Sequence, residues 1–391
     1  MPAVEATPAG RDTPPYAPPR VAMVGAGQLA RMTHQAAIDL GIEFTVLAGS
    51  PEESAVRAGA RAVYGDCSEA SDLRELAAGA DVVTFDHEQV PPELLSELEA
   101  EGIPFQPGAG AKLLAQDKLH ARRELAARDF PVPPFALARD ESEIAAFADE
   151  HGWPLVAKAP RGGYDGRGVA TVASAVEAQA LLADSPDGLL LEPLLPIERE
   201  LAVVVARSAD GQATAYPVAE TVQRDAMCRE ILVPAPVDES VAEKARELAI
   251  AITDVPGARG VIALELFLVD GELLVNELAL RPHNSGHFTI EGAETSQFEQ
   301  HLRGVLGWPL GETALTAPAV AMVNVVGPAD GSDPRERLAH VLAIPGVHVH
   351  LYDKSSSPGR KLGHVTVKGS DLEAARAQAR EAVAILEGEN Q

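Results

Sequence analysis

Patterned sequence begins at Arg20, after a proline-rich stretch over residues 1–19 that holds no apolar core segment. Val21-Ala22-Met23-Val24 predicts a short strand, and apolar positions at helical spacing predict a helix from about Leu29 to Leu40. Gly41 suits the left-handed cap that would end it. A strand at Phe44-Thr45-Val46-Leu47, a helix near 71–78 and a strand at Val82-Val83-Thr84-Phe85 continue the alternation. Strands alternating with helices imply a parallel sheet, so residues 20–112 read as one α/β unit. A helical pattern over 113–128 stops at Phe130-Pro131-Val132-Pro133-Pro134-Phe135, where the prolines mark a boundary. Beyond it come a helix at 141–151, a strand at Leu155–Lys158, a glycine-rich loop at 161–168, and strands at 169–173, 188–192 and 201–206. A helix over 238–253, a strand pair around Asp270-Gly271 within 261–280, and a helix over 295–306 follow. The last section, 311–391, carries strands near 319–326, 347–352 and 364–367 and ends in an Ala/Glu-rich helix. The fold class is therefore mixed α/β and α+β, without an internal repeat.

Length and composition narrow the function. At 391 residues the chain has room for two to three domains. Acids outnumber bases, 58 to 32, for a formal charge of -26 spread along the chain. Such a surface repels nucleic acid and anionic membrane, so neither is expected as a partner. Cys67 and Cys228 are too few for a disulfide scaffold and lack metal-site spacing, which fits reduced thiols in the cytoplasm. No apolar run approaches the ~18 residues of a membrane span. Residues 1–19 do not read as a secretory signal; they are expected to be a disordered extension.

Five segments carry candidate chemistry. Gly25-x-Gly27-x-x-Ala30 has the outline of a dinucleotide loop, whose glycines let phosphate approach backbone N–H groups at a helix start. The acid that should follow the second strand is missing: the chain reads Leu47-Ala48-Gly49-Ser50. Another small molecule, or a purely structural tight turn, fits better than a nicotinamide cofactor. Arg161-Gly162-Gly163-Tyr164-Asp165-Gly166-Arg167-Gly168 suits a flap over polyphosphate, with Lys158 within reach at the preceding strand end. A flexible hairpin tip with solvated arginines is the plain alternative. The Walker A pattern is absent.

Glu265 and Glu277 stand in otherwise apolar strands, where a carboxylate is costly unless paired or bound to metal. Hard oxygen ligands beside a polyphosphate suggest Mg²⁺. A two-residue turn at Asp270-Gly271 would set Glu265 opposite Asn276 and put Glu277 on the other face. Convergence of the two acids thus requires an odd-length loop or a bulge; otherwise they are edge acids facing water. Arg281-Pro282-His283-Asn284-Ser285-Gly286-His287 follows a strand end, where Arg281 and His283 could hold a small oxyanion, and no zinc spacing is present. Tyr352–His364 places Lys354, Arg360 and Lys361 among turn residues, which suits a phosphomonoester. For both segments a solvated loop is the alternative.

Together these motifs resemble the ATP-grasp ligases, and within them the 5-(carboxyamino)imidazole ribonucleotide synthase family. The resemblance rests on Gly-Ala-Gly-Gln-Leu-Ala-Arg-Met at 25–32, Gly-Gly-Tyr-Asp-Gly-Arg-Gly at 162–168, Arg-Pro-His-Asn-Ser-Gly-His at 281–287 and Tyr-Asp-Lys…Pro-Gly-Arg-Lys-x-Gly-His at 352–364, in this order. Departures are Ala30 where the family often has Gly, Leu280 where it usually has Pro, and Thr84-Phe85-Asp86-His87-Glu88, whose Asp86 and Glu88 receive no role. The resemblance implies a parallel-sheet pre-grasp domain at 20–112, an ATP-grasp domain at 113–310 with a lid at about 154–193, a small β-rich domain at 311–391, and a homodimer. It implies that Lys118 and Lys158 hold ATP phosphates, that flap residues Gly163, Gly166 and Gly168 cover them, that Glu192 to Leu195 read adenine mainly through backbone, and that Glu200 takes the ribose. By the same resemblance Glu265 and Glu277 hold Mg²⁺. Gln28, Tyr164, Asp165, Arg167, Ser285, Lys354, Arg360 and Lys361 bind the aminoimidazole ribonucleotide. Arg281, His283 and Asn284 serve bicarbonate, and Asp165 orients the amine. Formate-dependent phosphoribosylglycinamide transformylases and biotin carboxylases share the architecture, but the Tyr352–His364 run favours the first family. An NAD-dependent oxidoreductase and a non-catalytic nucleotide-binding regulator are the readings from outside the ligases.

Overall fold

The computed structural model describes residues 17–162, 168–224, 227–255 and 257–389. Most of the expected 1–19 extension, and flap residues Gly163, Tyr164, Asp165, Gly166 and Arg167, lie outside the described residues.

β1 (Arg20–Val24), β2 (Glu43–Ala48), β3 (Arg61–Tyr64) and β4 (Val82–Phe85) form a parallel sheet in the order β3-β2-β1-β4. The helix Gln28–Asp39 follows β1 directly and ends where Gly41 takes a φ of 67°. The pattern over 113–128 is not one helix. It divides into Ala109–Gln116 and Lys118–Ala126 at Asp117, whose extended backbone breaks the run and whose carboxylate caps the second helix by accepting the His120 N–H at 2.8 Å. That break makes Lys118 the first helical residue.

A second, small sheet contains β5 (Ala136–Ala138), β6 (Leu155–Lys158), β7 (Val169–Val172) and β8 (Leu189–Pro193) in the order β5-β8-β6-β7. It recruits β5 from ahead of the 154–193 span expected for the lid. The helices Glu141–His151 and Ala175–Ala183 pack on it through Ile144, Phe147 and Ala178.

The large sheet contains β9 (Arg199–Arg207), β10 (Ala213–Ala215), β11 (Ala219–Arg224), β12 (Met227–Val233), β13 (Gly260–Val269), β14 (Glu272–Ala279), β15 (Ala319–Val326), β16 (Val347–Leu351) and β17 (Lys361–Gly369). Its order is β14-β13-β9-β11-β12-β15-β17-β16, with β10 paired to β9. The β-rich C-terminal section therefore extends the central sheet through the β12–β15 ladder instead of forming a sheet of its own. Leu201, Val203, Val205, Leu264, Leu266 and Val275 fill the core under β9, β13 and β14 against the helix Glu239–Thr253. Each such buried aliphatic contributes about 1.5–3 kcal/mol, which makes this face a rigid platform for the polar residues on the other. Among the described residues no helix is long and apolar enough to cross a membrane.

Candidate active site

The β13–β14 hairpin decides where the carboxylates point. Asp270 and Gly271 both have positive φ, 50° and 76°, and join the strands as a two-residue turn with Val269 opposite Glu272. Leu266 pairs with Val275, yet Glu265 pairs with Glu277, so Asn276 is the extra residue of a bulge. The two glutamates consequently share a face. Burial and the negative charges of Glu277 and Glu200 push the Glu265 carboxyl up to about 8. Burial acts the same way on Glu277, but the Lys118 ammonium at 2.7 Å from its Oε2 outweighs it and holds the pKa below the ordinary value. Burial also raises Glu200, on the neighbouring strand β9.

Lys118 reaches this cluster from the start of its helix, anchored by its own N–H donating to the Pro160 carbonyl at 2.9 Å. Asp117 beside it binds Arg161 Nε at 2.8 Å, which ties the helix start to the root of the glycine flap. Lys158 leaves the end of β6 on the same face as Glu192 of β8 and meets its Oε2 at 2.6 Å. Arg122, one helical turn after Lys118, binds Glu192 Oε1 at 2.7 Å through Nε and donates from its Nη1 to the Asn276 carbonyl at 2.6 Å. Glu192 is only 3% exposed. Burial opposes its charge, and Arg122 and Lys158 overcome that to lower its pKa. Burial in turn lowers Lys158, against the pull of Glu192. The Glu192 carboxylate is thus committed to positioning the two cations, and only its backbone and the half-buried Leu195 remain for a base. Gly168 is described, with a φ of 74° and its carbonyl accepting from Ala159 N–H at 2.7 Å.

The 281–287 loop closes the third side. His283 Nε2 lies 3.7 Å from Glu265 Oε1, and its Nδ1 lies 2.9 Å from Ser285 Oγ. Gln297 clamps the His283 backbone, accepting from its N–H at 2.9 Å and donating to its carbonyl at 2.7 Å. Arg281 Nε lies 3.2 Å from Glu88 Oε1. Asn284 does not turn toward the carboxylates: its amide exchanges two hydrogen bonds with Asn324 of β15, at 3.0 and 2.8 Å. Ser285 is fully buried against His283. Both side chains thus fasten the loop.

The remaining expected residues gather between the first glycine loop and the C-terminal basic segment. Lys354 Nζ donates to Gln28 Oε1 and lies 5.6 Å from the centre of the Tyr352 ring. Ser54 donates to the Tyr352 carbonyl and Arg57 binds Asp353, locking the segment onto the first domain. Arg360 donates to the Ser355 hydroxyl and carbonyl at 2.8 and 3.1 Å, and Lys361 begins β17 next to it. Gln28, Gly27, Asp86 and His87 line a cavity of roughly 440 Å³. The Gly27 N–H donates to Asp86 Oδ2 at 2.7 Å, so a carboxylate already occupies the loop position where a dinucleotide pyrophosphate would sit.

Sequence reasoning missed Arg122, Asn276 and Lys112, and left the role of Glu88 open. Arg122 follows Lys118 by four residues, the spacing that puts both on one helix face. Asn276 was visible as the residue whose removal from the pairing lets Glu265 face Glu277. Lys112 carried no local signal, and Glu88 stood in the 84–88 segment without a role, because only the tertiary fold brings the two to Arg281.

Three family models tile the chain: a ribonucleotide synthetase preATP-grasp domain over residues 19–116, an ATP-grasp domain over 123–298, and a phosphoribosylaminoimidazole carboxylase C-terminal domain over 320–378. The N5-carboxyaminoimidazole ribonucleotide synthase of Mycobacterium bovis is 49% identical over 362 residues, covering 90% of this chain and 84% of its own. The solved structure of the Thermus thermophilus synthetase superposes with a TM-score of 0.84 at 37% identity, covering 94% of this chain and 98% of that one. An Aspergillus clavatus synthase in complex with ADP and 5-aminoimidazole ribonucleotide gives a TM-score of 0.87 at 31% identity, covering 95% and 99%. The chain belongs to the N5-carboxyaminoimidazole ribonucleotide synthase family, ATP-grasp carbon–nitrogen ligases of purine biosynthesis.

Proposed function

We propose that this site activates bicarbonate with the γ-phosphate of ATP and places its carbon on the exocyclic amine of 5-aminoimidazole ribonucleotide, releasing ADP and phosphate. The observation that carries the reading is convergence. Glu265 and Glu277 share a face and meet His283 and Lys118, Lys158 reaches the Asn276 side chain beside them, and the Gln28–Lys354 contact adjoins the 281–287 loop through Tyr352 and His287.

The donor set fits Mg²⁺. Among the described residues no group of three or more His, Cys, Asp or Glu is placed to hold a metal. Two carboxylates on one face is what Mg²⁺ takes when substrate phosphates and water supply its other ligands. Glu265 and Glu277 would hold it, and bound there it would neutralise polyphosphate charge.

The protein's own groups account for the rest. Lys118 and Lys158 offset the charge of the phosphates, which otherwise repel an incoming anion. Arg281 and His283 hold bicarbonate so that its oxygen attacks the γ-phosphorus in line, with ADP leaving. The resulting carboxyphosphate breaks down to carbon dioxide and phosphate. The amine attacks the carbon of carbon dioxide, the new carbon–nitrogen bond forms as a C=O π pair moves onto oxygen, and the amine's proton passes to a nearby base or to the released phosphate. Gln28, Lys354, Arg360 and Lys361 place the ribonucleotide, joined in this reading by Tyr164, Asp165 and Arg167 of the flap, with Asp165 orienting the amine. In this reading Gly163, Gly166 and Gly168 of the flap keep water from the acyl phosphate. Glu200 and the 192–195 backbone receive ribose and adenine.

Location in the cytoplasm fits Cys67 and Cys228, neither of which forms a disulfide. The homodimer is tested by light scattering of the purified chain. The function is tested by ADP release from MgATP and bicarbonate with and without the ribonucleotide; release that ignores the ribonucleotide sinks the assignment. A biotin carboxylase or transformylase reading would instead show release driven by biotin, or by formate with glycinamide ribonucleotide.

A further inference from the structure

Lys112 is a charged side chain that the reaction scheme above leaves unused. It lies in the helix Ala109–Gln116, and its side chain is 0% exposed. A lysine is seldom buried so fully without a partner that fixes it. Three groups surround it. Its Nζ binds Glu88 Oε2, donates to the His87 carbonyl at 2.8 Å, and lies 4.5 Å from the centre of the Phe85 ring. The other Glu88 oxygen, Oε1, faces Arg281 Nε at 3.2 Å. Lys112, Glu88 and Arg281 thus form one chain of charges, positive, negative and positive, running from the interior of the first domain to the loop that borders the carboxylate cluster.

The segment that carries Glu88 is held at further points. Gln116 Nε2, one turn after Lys112, donates to the Glu88 and Val90 carbonyls at 2.9 and 2.6 Å. Asp86 is held by the Gly27 N–H. Yet only Lys112 and Arg281 touch the Glu88 carboxylate with a charge shorter than 4 Å among the described contacts. Without Lys112, Glu88 would have one cation, and that cation is the residue it must orient.

We propose that Lys112 is a positioning residue: it fixes the Glu88 carboxylate from behind, and Glu88 in turn fixes the Arg281 guanidinium toward the bicarbonate. The inference rests on the functional reading above, in which Arg281 serves bicarbonate. The groups facing Glu88 are Lys112, Arg281 and His87. Burial works against its charge and the two cations win, so its carboxyl titrates below the ordinary range. Removing Lys112 takes away the first of those cations and moves that titration upward.

The test is the Lys112→Met variant of the full chain, assayed by ADP release with each of the three substrates varied in turn. The expected result is a bicarbonate KM raised roughly tenfold, with ATP and ribonucleotide KM within about twofold of wild type. The acidic limb of kcat/KM for bicarbonate moves to higher pH. Equal rises in all three KM values, or an unchanged bicarbonate KM, overturn the proposal. Glu88→Gln and the double variant Glu88→Gln/Lys112→Met cover the case where an uncompensated Glu88 unfolds the single variant. If Lys112 acts through Glu88, it adds nothing on the Glu88→Gln background; a further loss there refutes the proposal. A wild-type rate without saturable dependence on bicarbonate refutes the functional reading instead, and so separates the two failures.

Discussion

The Glu265–Glu277 pair makes a quantitative prediction about protons. Glu265 titrates at about 8 in the metal-free protein, against an ordinary 4.5, because it is buried beside two other carboxylates. At pH 7 the pair therefore holds about 0.9 proton, and at pH 9 about 0.1. A divalent cation needs both carboxylates ionised, so binding of MgADP should expel about 0.9 proton at pH 7 and almost none at pH 9. The sign follows from the raised pKa. Affinity for the cation should climb about tenfold per pH unit through the window between 4.5 and 8 and level off above it. The metal-free fold should behave in the opposite sense and lose stability across that window, since the unfolded chain ionises freely and the folded site does not. Titration calorimetry of MgADP in phosphate and in Tris, whose ionisation enthalpies differ, reads the released protons directly. The enthalpy should depend on buffer at pH 7 and not at pH 9, and Glu265→Gln should abolish the dependence. A buffer-independent enthalpy in wild type at pH 7 would show that both carboxylates are already ionised, and the burial argument would fail.

Three further substitutions probe the supports of the site. Arg122→Met leaves Glu192 buried with Lys158 alone and removes the bond to the Asn276 carbonyl; a loss of about 3–5 kcal/mol in urea unfolding is expected, together with a higher ATP KM. Asn324→Ala strips Asn284 of both amide partners and should cost about 1–3 kcal/mol, with the ribonucleotide-dependent rate falling more than the affinity for ADP. Gly25 sits at a φ of 101° with the Asp86 carboxylate where a Cβ would go; Gly25→Ala should displace Asp86 from the Gly27 N–H and raise the ribonucleotide KM while sparing the ATP KM.

How much of this was legible in the sequence depends on the range of the interaction. The alternation over residues 20–112 gave the parallel sheet, because strand and helix periods are local. The Asp270-Gly271 turn and the requirement for a bulge were likewise local arithmetic, and the structure meets the requirement at Asn276. The break at Asp117 was not legible: apolar spacing runs straight through it, and what stops the helix is a side-chain cap together with the long-range Asp117–Arg161 pair. Extension of the central sheet by β15–β17 was hidden for a similar reason, since the β12 and β15 partners lie about ninety residues apart and leave no mark in either strand. The hinge reading of 192–195 concerned backbone, so it was silent on the Glu192 carboxylate, which Arg122 and Lys158 claim.

The same contacts explain how a chain with a formal charge of -26 receives anionic substrates. At physiological salt, exposed charges farther from the site than about 8 Å are largely screened, so the site is set by what stands within that distance. Its carboxylates are compensated in a graded way. Glu192 and Glu88 each meet two cationic side chains, Glu277 meets Lys118, and Glu265 has only His283 at 3.7 Å and the Asn276 amide at 3.4 Å among its described contacts. Glu265 is therefore the carboxyl that keeps its proton at neutral pH, on the face between Lys118 and His283. A cation bound there displaces that proton, while Lys118 and Lys158 stay beside it on Glu277 and Glu192. Converting Glu192 to Gln should disturb this order in a way that Glu265→Gln does not: it frees Lys158 and Arg122 from their shared partner, so ATP affinity should change while proton release on MgADP binding stays near 0.9 at pH 7. If Glu192→Gln suppresses proton release as fully as Glu265→Gln does, the compensation is not local to each carboxylate and the graded arrangement is wrong.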